Sequence, residues 1–224
     1  KEFMFLNFTA TNFSFSASIS TFYPEKTIVF GGLSKVFSAG GYRLGFMRLP
    51  GDFEVYQDVY KALFSETFSC VSSPVQFAAQ KAYEFEQDLQ NQVRDLSFIL
   101  KRVSEYIYKE FTDISIECTK SQGAFYMVIG FNNFKSQISK RGIHTSIDLA
   151  THVLEKYKVA MLPGVDFGFE KEELFFRIAF VDFDGSEALK LISNKNFSQE
   201  NSLDIICPQI VKGVSLLKEW IKTQ

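Results

Sequence analysis

The pattern of apolar and polar positions divides the chain into strand-like runs within the first fifty residues and helical periods after them. Thr27-Ile28-Val29-Phe30 is a continuous apolar run following Pro24 and predicts a buried strand; Leu44 to Met47 predicts another. Phe3 to Phe8 reads as an extended piece, and Thr9 to Ser18 as a loop leading into a short helix near Ile19. From Asp52 the apolar residues Phe53, Tyr56, Val59, Tyr60 and Leu63 fall mostly three or four apart, the mark of a helix with one apolar face. Ser72-Ser73-Pro74 predicts a helix start, with a capping serine and proline in the first helical position.

After Pro74, Leu89, Val93, Leu96, Leu100, Val103 and Ile107 recur at spacings of four and three. That stripe predicts a long helix over residues 74–110 that must lie against a partner surface. Strand-forming runs on both sides place it within a globular fold rather than in a solitary coiled coil. The remaining residues, 111–224, read as a smaller α+β domain. Ile114 to Cys118 and Ala124 to Ile129 predict paired strands around a turn at Gln122-Gly123, Ile147 to Tyr157 a helix, and Phe175 to Val181 a strand. Val159 to Leu162 leads into Pro163-Gly164, and Asp184-Gly185-Ser186 precedes a short helix through Leu191. A polar insertion covers Asn194 to Ser202. The closing helix begins at Pro208, with Val211, Val214, Leu217 and Ile221 on its apolar side and Lys218 facing solvent.

With 224 residues the chain has enough length to bury a substantial core in one large or two small domains. Its 24 basic residues are dispersed and the net charge is −2, so it carries no basic stripe suited to nucleic acid. Three widely spaced cysteines, Cys70, Cys118 and Cys207, indicate a reducing compartment and no disulfide framework. Only two histidines are present, His144 and His152, which read as structural or surface groups and give no zinc cluster. No eighteen-residue apolar run predicts a membrane span. The opening residues are too short and too soon interrupted for a secretion signal, and the missing initiator methionine predicts a truncated or processed chain.

The chemistry concentrates after the first apolar strand, in Gly31-Gly32-Leu33-Ser34-Lys35-Val36-Phe37-Ser38-Ala39-Gly40-Gly41-Tyr42-Arg43-Leu44-Gly45. A lysine that captures an aldehyde cofactor as a Schiff base needs access, a rigid base and a nearby anchor for the cofactor's phosphate. Lys35 is the candidate amine, in a setting that reads as buried; Ser34 offers a hydrogen bond beside it. Arg43 offers a planar fork of donors suited to phosphate, and Gly40, Gly41 and Gly45 let backbone approach a ligand. On these residues alone, a surface turn whose lysine and arginine face water fits equally well.

Arg177 is a second candidate, because Phe175-Phe176-Arg177-Ile178-Ala179-Phe180 reads as a strand entering the core. A desolvated guanidinium is costly unless an anion meets it, so the side chain holds a ligand anion, pairs with an internal carboxylate or reaches the surface. Phe125 and Phe167 read as core side chains that could line a pocket. Asp184 fits a turn and helix cap better than catalysis, and Asp182 carries no independent catalytic signal.

The segment around Ser34-Lys35, with its glycines and Arg43-Leu44-Gly45, resembles the lysine motif of class I/II aminotransferases, pyridoxal phosphate enzymes of fold type I. The resemblance implies an α/β chain forming the C-terminal part of such a transferase. Residues 1–73 would be the C-terminal portion of the large cofactor domain, 74–110 a long interdomain helix, and 111–224 the small domain. It further implies that Lys35 holds pyridoxal 5'-phosphate covalently, that Ser34 and Arg43 bind it, and that Arg177 clamps the substrate's α-carboxylate. The loop Pro163-Gly164-Val165-Asp166-Phe167-Gly168 resembles the family's segment before that arginine. Amino acid and 2-oxo acid substrates and a cytoplasmic homodimer are expected with the same resemblance, beside the absence of a nucleic-acid or membrane partner expected from charge and hydropathy. Many relatives carry a phosphate-binding hydroxyl where this chain has Gly32; Ser38 or backbone amides are the alternatives here. Relatives also carry an aspartate for the ring nitrogen and a tyrosine three residues later, which family spacing puts close to or before Lys1. Against an aminotransferase stand a lyase or synthase of the same fold, and a catalytically incomplete homologue with a structural role.

Overall fold

The structure, a computed structural model, describes residues 19–84, 86–193 and 202–223. The expected extended piece at Phe3 to Phe8, the loop before Ser18 and most of the polar insertion after Asn194 lie outside those residues. The described residues fall into two compact units, divided after Ser97.

In the first unit a short helix, α1 (Ile19–Phe22), precedes β1 (Val29–Gly32), which pairs antiparallel with β2 (Gly45–Arg48). The strand expected at Thr27 starts two residues later and is not buried throughout, since Phe30 is 62% exposed. A 3₁₀ turn over Gly51–Tyr56 runs into α2 (Gln57–Thr67), and α3 (Ser73–Tyr83) follows. The periodic residues of α2 make the expected helix but bury nothing among the described residues: Val59 and Leu63 are largely exposed. At the start of α3, Pro74 stands second rather than first. The Ser72 side chain makes no cap bond; its carbonyl accepts from the Val75 and Gln76 amides instead.

The helix expected over 74–110 is two helices, α3 and α4 (Gln87–Thr112). No proline or glycine marks the break. Lys81 spans it, with Nζ 2.6 Å from Glu84 Oε2 and 2.5 Å from Glu86 Oε1, and both carboxylates raise the Lys81 pKa. The stripe on α4 behaves as its spacing predicts: Val93, Leu100, Val103 and Ile107 are all buried.

The second unit contains a four-stranded antiparallel sheet of β3 (Glu117–Cys118), β4 (Tyr126–Gly130), β5 (Leu162–Pro163) and β6 (Phe175–Ala179), in the order β3-β4-β6-β5. Around it come α5 (Lys135–Ser139), α6 (Ser146–Tyr157), α7 (Gly185–Ser193), α8 (Ser202–Ile206) and α9 (Pro208–Lys222). Thr145 and Asp148 form a reciprocal capping box at the start of α6. Asp184 caps α7 as expected, its Oδ1 accepting from the Glu187 amide at 3.0 Å. The core centres on Phe131, whose ring lies 5.7 Å from both Phe176 and Trp220. Trp220, absent from the expected apolar side of α9, is its largest buried residue. Lys218 is not turned to solvent but pairs with Glu110 of α4, both partly buried.

His152 lies 6.1 Å, ring to ring, from Trp220, where burial first, then Lys156 and Arg141, holds its imidazole below the usual range. His144 is exposed, and no group of metal-binding side chains occurs among the described residues. No described helix is long and apolar enough to cross a membrane.

Two predictions follow from this packing. A methyl at Gly164, just before the loop carrying Phe167, would sit 2.8 Å from the Phe175 carbonyl oxygen, a backbone atom unable to swing aside. Gly164→Ala is expected to destabilise the protein by about 1–3 kcal/mol in denaturant titration; unchanged stability would show that this turn gives way. The three cysteines are free, with Cys70 exposed, whereas burial pushes the Cys118 and Cys207 thiols up to about 12. Only the thiolate alkylates, so iodoacetamide at about pH 8 is expected to label Cys70 and spare the other two until the protein unfolds. Peptide mass mapping reads the result, and equal labelling of all three would refute it.

Candidate active site

The lysine loop joins β1 to β2 and is anchored by its apolar residues. Leu33 and Val36 are buried, while Lys35 between them is exposed, correcting the expectation of a buried amine. Ser34 is half-buried. Backbone bonds close the loop: the Leu33 amide donates to Leu44, Ala39 to Leu33, and Ser38 to Lys35, at 3.2–3.3 Å. Ser38 takes a left-handed backbone, φ 52°, outside the region most residues favour, and its side chain is exposed.

Arg43 ends the turn Gly40–Tyr42 and is also left-handed, with φ 54°. A non-glycine residue held there costs on the order of 1–3 kcal/mol, and such strain gathers at functional sites. Its guanidinium Nη1 donates to the Gly40 carbonyl at 2.5 Å, which draws the side chain back over the glycines. One donor is thereby used and the rest of the fork stays exposed. Ser34, Lys35 and Arg43 thus stand on one closed loop between two paired strands. A cavity of about 1550 Å³ in the same unit takes in Arg43, Phe46, Tyr60, Phe64 and Tyr83, but neither Ser34 nor Lys35. It is a concavity beside the hairpin.

Arg177 sits at the middle of β6, paired with Val128 of β4 on one side and Leu162 of β5 on the other. Its strand neighbour Phe176 and, just past the strand, Phe180 are buried, but Arg177 itself is half-buried. The guanidinium carbon lies 4.3 Å from the Tyr126 ring centre and 4.4 Å from that of Phe167. Each contact is attractive, since the face of an aromatic ring carries partial negative charge. Among the described residues Arg177 forms no ion pair.

Phe167, expected in the core, is 44% exposed and serves as one of those two rings. The other is Tyr126 rather than Phe125, because side chains alternate across a strand. With Val128 opposite Arg177, Tyr126 shares Arg177's face and Phe125 does not. The signal was available in the sequence as strand parity, but only the register gives it meaning.

The chain matches the family described as aminotransferase class I and II over residues 3–192. It belongs to that family. It is 32% identical over 158 residues to an aspartate aminotransferase of Geobacillus stearothermophilus, covering 67% of this chain and 37% of the relative. It is 31% identical over 150 residues to a probable N-acetyl-LL-diaminopimelate aminotransferase of Bacillus subtilis, covering 67% of this chain and 35% of that one. An aminotransferase from Mycobacterium tuberculosis superposes with a TM-score of 0.68 at 19% identity, over 93% of this chain and 45% of its own. The aromatic aminotransferase of Pyrococcus horikoshii gives 0.61 at 23%, over 97% and 49%. The fold is therefore that of the pyridoxal phosphate-dependent fold type I enzymes, of which the chain spans the C-terminal half or less.

Proposed function

We propose that the protein to which this chain belongs is a pyridoxal 5'-phosphate-dependent aminotransferase, moving an amino group between an amino acid and a 2-oxo acid. The observation that carries this reading is that Lys35 is an exposed residue between buried Leu33 and Val36 on a hydrogen-bonded loop that also bears Arg43.

The donor types on this loop, an amine, a hydroxyl and a guanidinium, suit a phosphorylated aldehyde. Lys35 Nζ is the amine to join the aldehyde carbon, Ser34 stands beside it, and Arg43 offers the unused part of its fork to the phosphate. When bound, the cofactor supplies an electron sink for the bonds at the substrate's α-carbon. As a free amine, Lys35 Nζ would take the proton from the substrate's α-carbon and could return it to the carbon that was the cofactor's aldehyde carbon. Arg177, its guanidinium carbon 4.3 Å and 4.4 Å from the Tyr126 and Phe167 ring centres, would offer its N–H donors to the substrate carboxylate. We read residues 1–73 as the closing part of the cofactor domain and 111–224 as the small domain, with α3 and α4 in place of a single linking helix. The assembly is proposed as a cytoplasmic homodimer acting on small amino and oxo acids.

The test is to supply the full-length protein with pyridoxal 5'-phosphate and scan for a band near about 420 nm before and after borohydride. A band lost on reduction, with the added mass on Lys35, is expected. Absence of a reducible band would support a homologue that has kept the scaffold and lost the chemistry.

A further inference from the structure

We propose that Tyr83 is a positioning residue for Lys35, an inference that rests on the reading of Lys35 as the cofactor's amine. Tyr83 is the last residue of α3, fifty-one positions away from the lysine loop's first contact. Its hydroxyl donates to the Gly32 carbonyl at 2.8 Å. Its ring meets Phe37 edge-on, with centroids 5.4 Å apart at 88°. Gly32 lies three residues before Lys35 and Phe37 two after it. One side chain thus holds the loop on both sides of the amine.

The same ring braces β2. Tyr83 and Phe46 meet edge-on at 5.2 Å, and Phe46 in turn lies over Gly31, its cross-strand partner. A Cβ on Gly31 would fall 2.5 Å from the Phe46 ring, so this closeness exists only because residue 31 lacks a side chain. Hydrogen bond, two edge-on ring contacts and a glycine cleared for one of the rings converge on the strand end from which the lysine loop departs. Edge-to-face pairs are attractive beyond the area they bury, and a buried carbonyl left without its donor is costly.

Tyr83 is itself held. The turn after it is closed by the Glu84 amide on the Gln80 and Lys81 carbonyls, and by Lys81 bridging Glu84 and Glu86. A loop whose amine must reach one carbon repeatedly gains from such restraint, because rate depends steeply on how often the reacting atoms are aligned. Tyr83 touches neither cofactor nor substrate in this account and acts through the backbone at Gly32 and the ring of Phe37.

The test compares Tyr83→Phe, which keeps the ring and removes the donor, with Tyr83→Leu, which removes both. Borohydride trapping of pyridoxal 5'-phosphate on Lys35 is expected to slow by about fivefold in Tyr83→Phe, the value of one net hydrogen bond, and further in Tyr83→Leu. Affinity for pyridoxamine 5'-phosphate, which has no aldehyde for the lysine, is expected to stay as in the parent for Tyr83→Phe. General damage to the scaffold would weaken both ligands together, and that result overturns the proposal. In cofactor-free protein, amide exchange at Leu33, Ser38 and Ala39 is expected to quicken by a similar factor in Tyr83→Phe; parental exchange would equally overturn it. Absence of any adduct on Lys35 in the parent protein would instead defeat the cofactor reading, while the exchange rates still decide whether Tyr83 anchors the loop.

Discussion

Replacing Lys35 with alanine in the full-length protein is expected to abolish the borohydride-stable adduct and to cut turnover by at least about 100-fold. Two tasks fall to the one amine: it holds the aldehyde before substrate arrives, and it carries the proton afterwards. No neighbour can take over, since Leu33 and Val36 are buried and apolar and Ser34 lacks an amine. The fold should survive, because Lys35 is exposed and the loop's closing bonds are made by backbone. Mass mapping after reduction and a steady-state assay check the outcome. Parental turnover in Lys35→Ala would remove the role assigned here.

Arg177→Ala is expected to act differently, raising KM for carboxylate substrates by about 10- to 100-fold, the range set by losing charge-assisted hydrogen bonds. The guanidinium is flanked by the Tyr126 and Phe167 rings, whose π faces hold the cation without using its N–H donors. Those donors remain for a planar anion, and a carboxylate suits the guanidinium fork as a bidentate pair. Arg177→Lys would keep the charge and lose the fork, so it is expected to recover only part of the affinity. Titration with a series of carboxylate substrates reads this directly, and unchanged affinity in Arg177→Ala would end the assignment. Adduct formation at Lys35 should be untouched by either substitution, which separates the arginine's role from the lysine's.

The candidate residues were legible because each lies in a short local pattern. Glycines on both sides of Ser34-Lys35, with Arg43 eight residues on, describe a loop able to seat an amine and a phosphate anchor. What surrounds them was less legible. Tyr83 ends a helix with no pattern linking it to Gly32, and a hydrogen bond across fifty-one residues leaves no local trace. Tyr126 was passed over for Phe125 because strand parity has no meaning until the partner strand's register is known.

By itself the sequence determined most helices and the order of elements, but not every boundary: the stretch after Pro74 reads as one helix and forms two. Period and capping are properties of neighbours three or four residues apart, and α4, α6 and α9 follow them closely. Tertiary structure alone decided what each face meets. The periodic residues of α2 remain largely exposed, Lys218 turns to Glu110, and the helical stretch after Pro74 breaks where Lys81 bridges two glutamates. An apolar stripe records that a helix has a side suited to burial, but the partner that covers it comes from distant chain. So Lys35, Arg43 and Arg177 could be singled out as candidates from residues in sequence, whereas the rings and hydroxyl beside them, Tyr126, Phe167 and Tyr83, were set by packing.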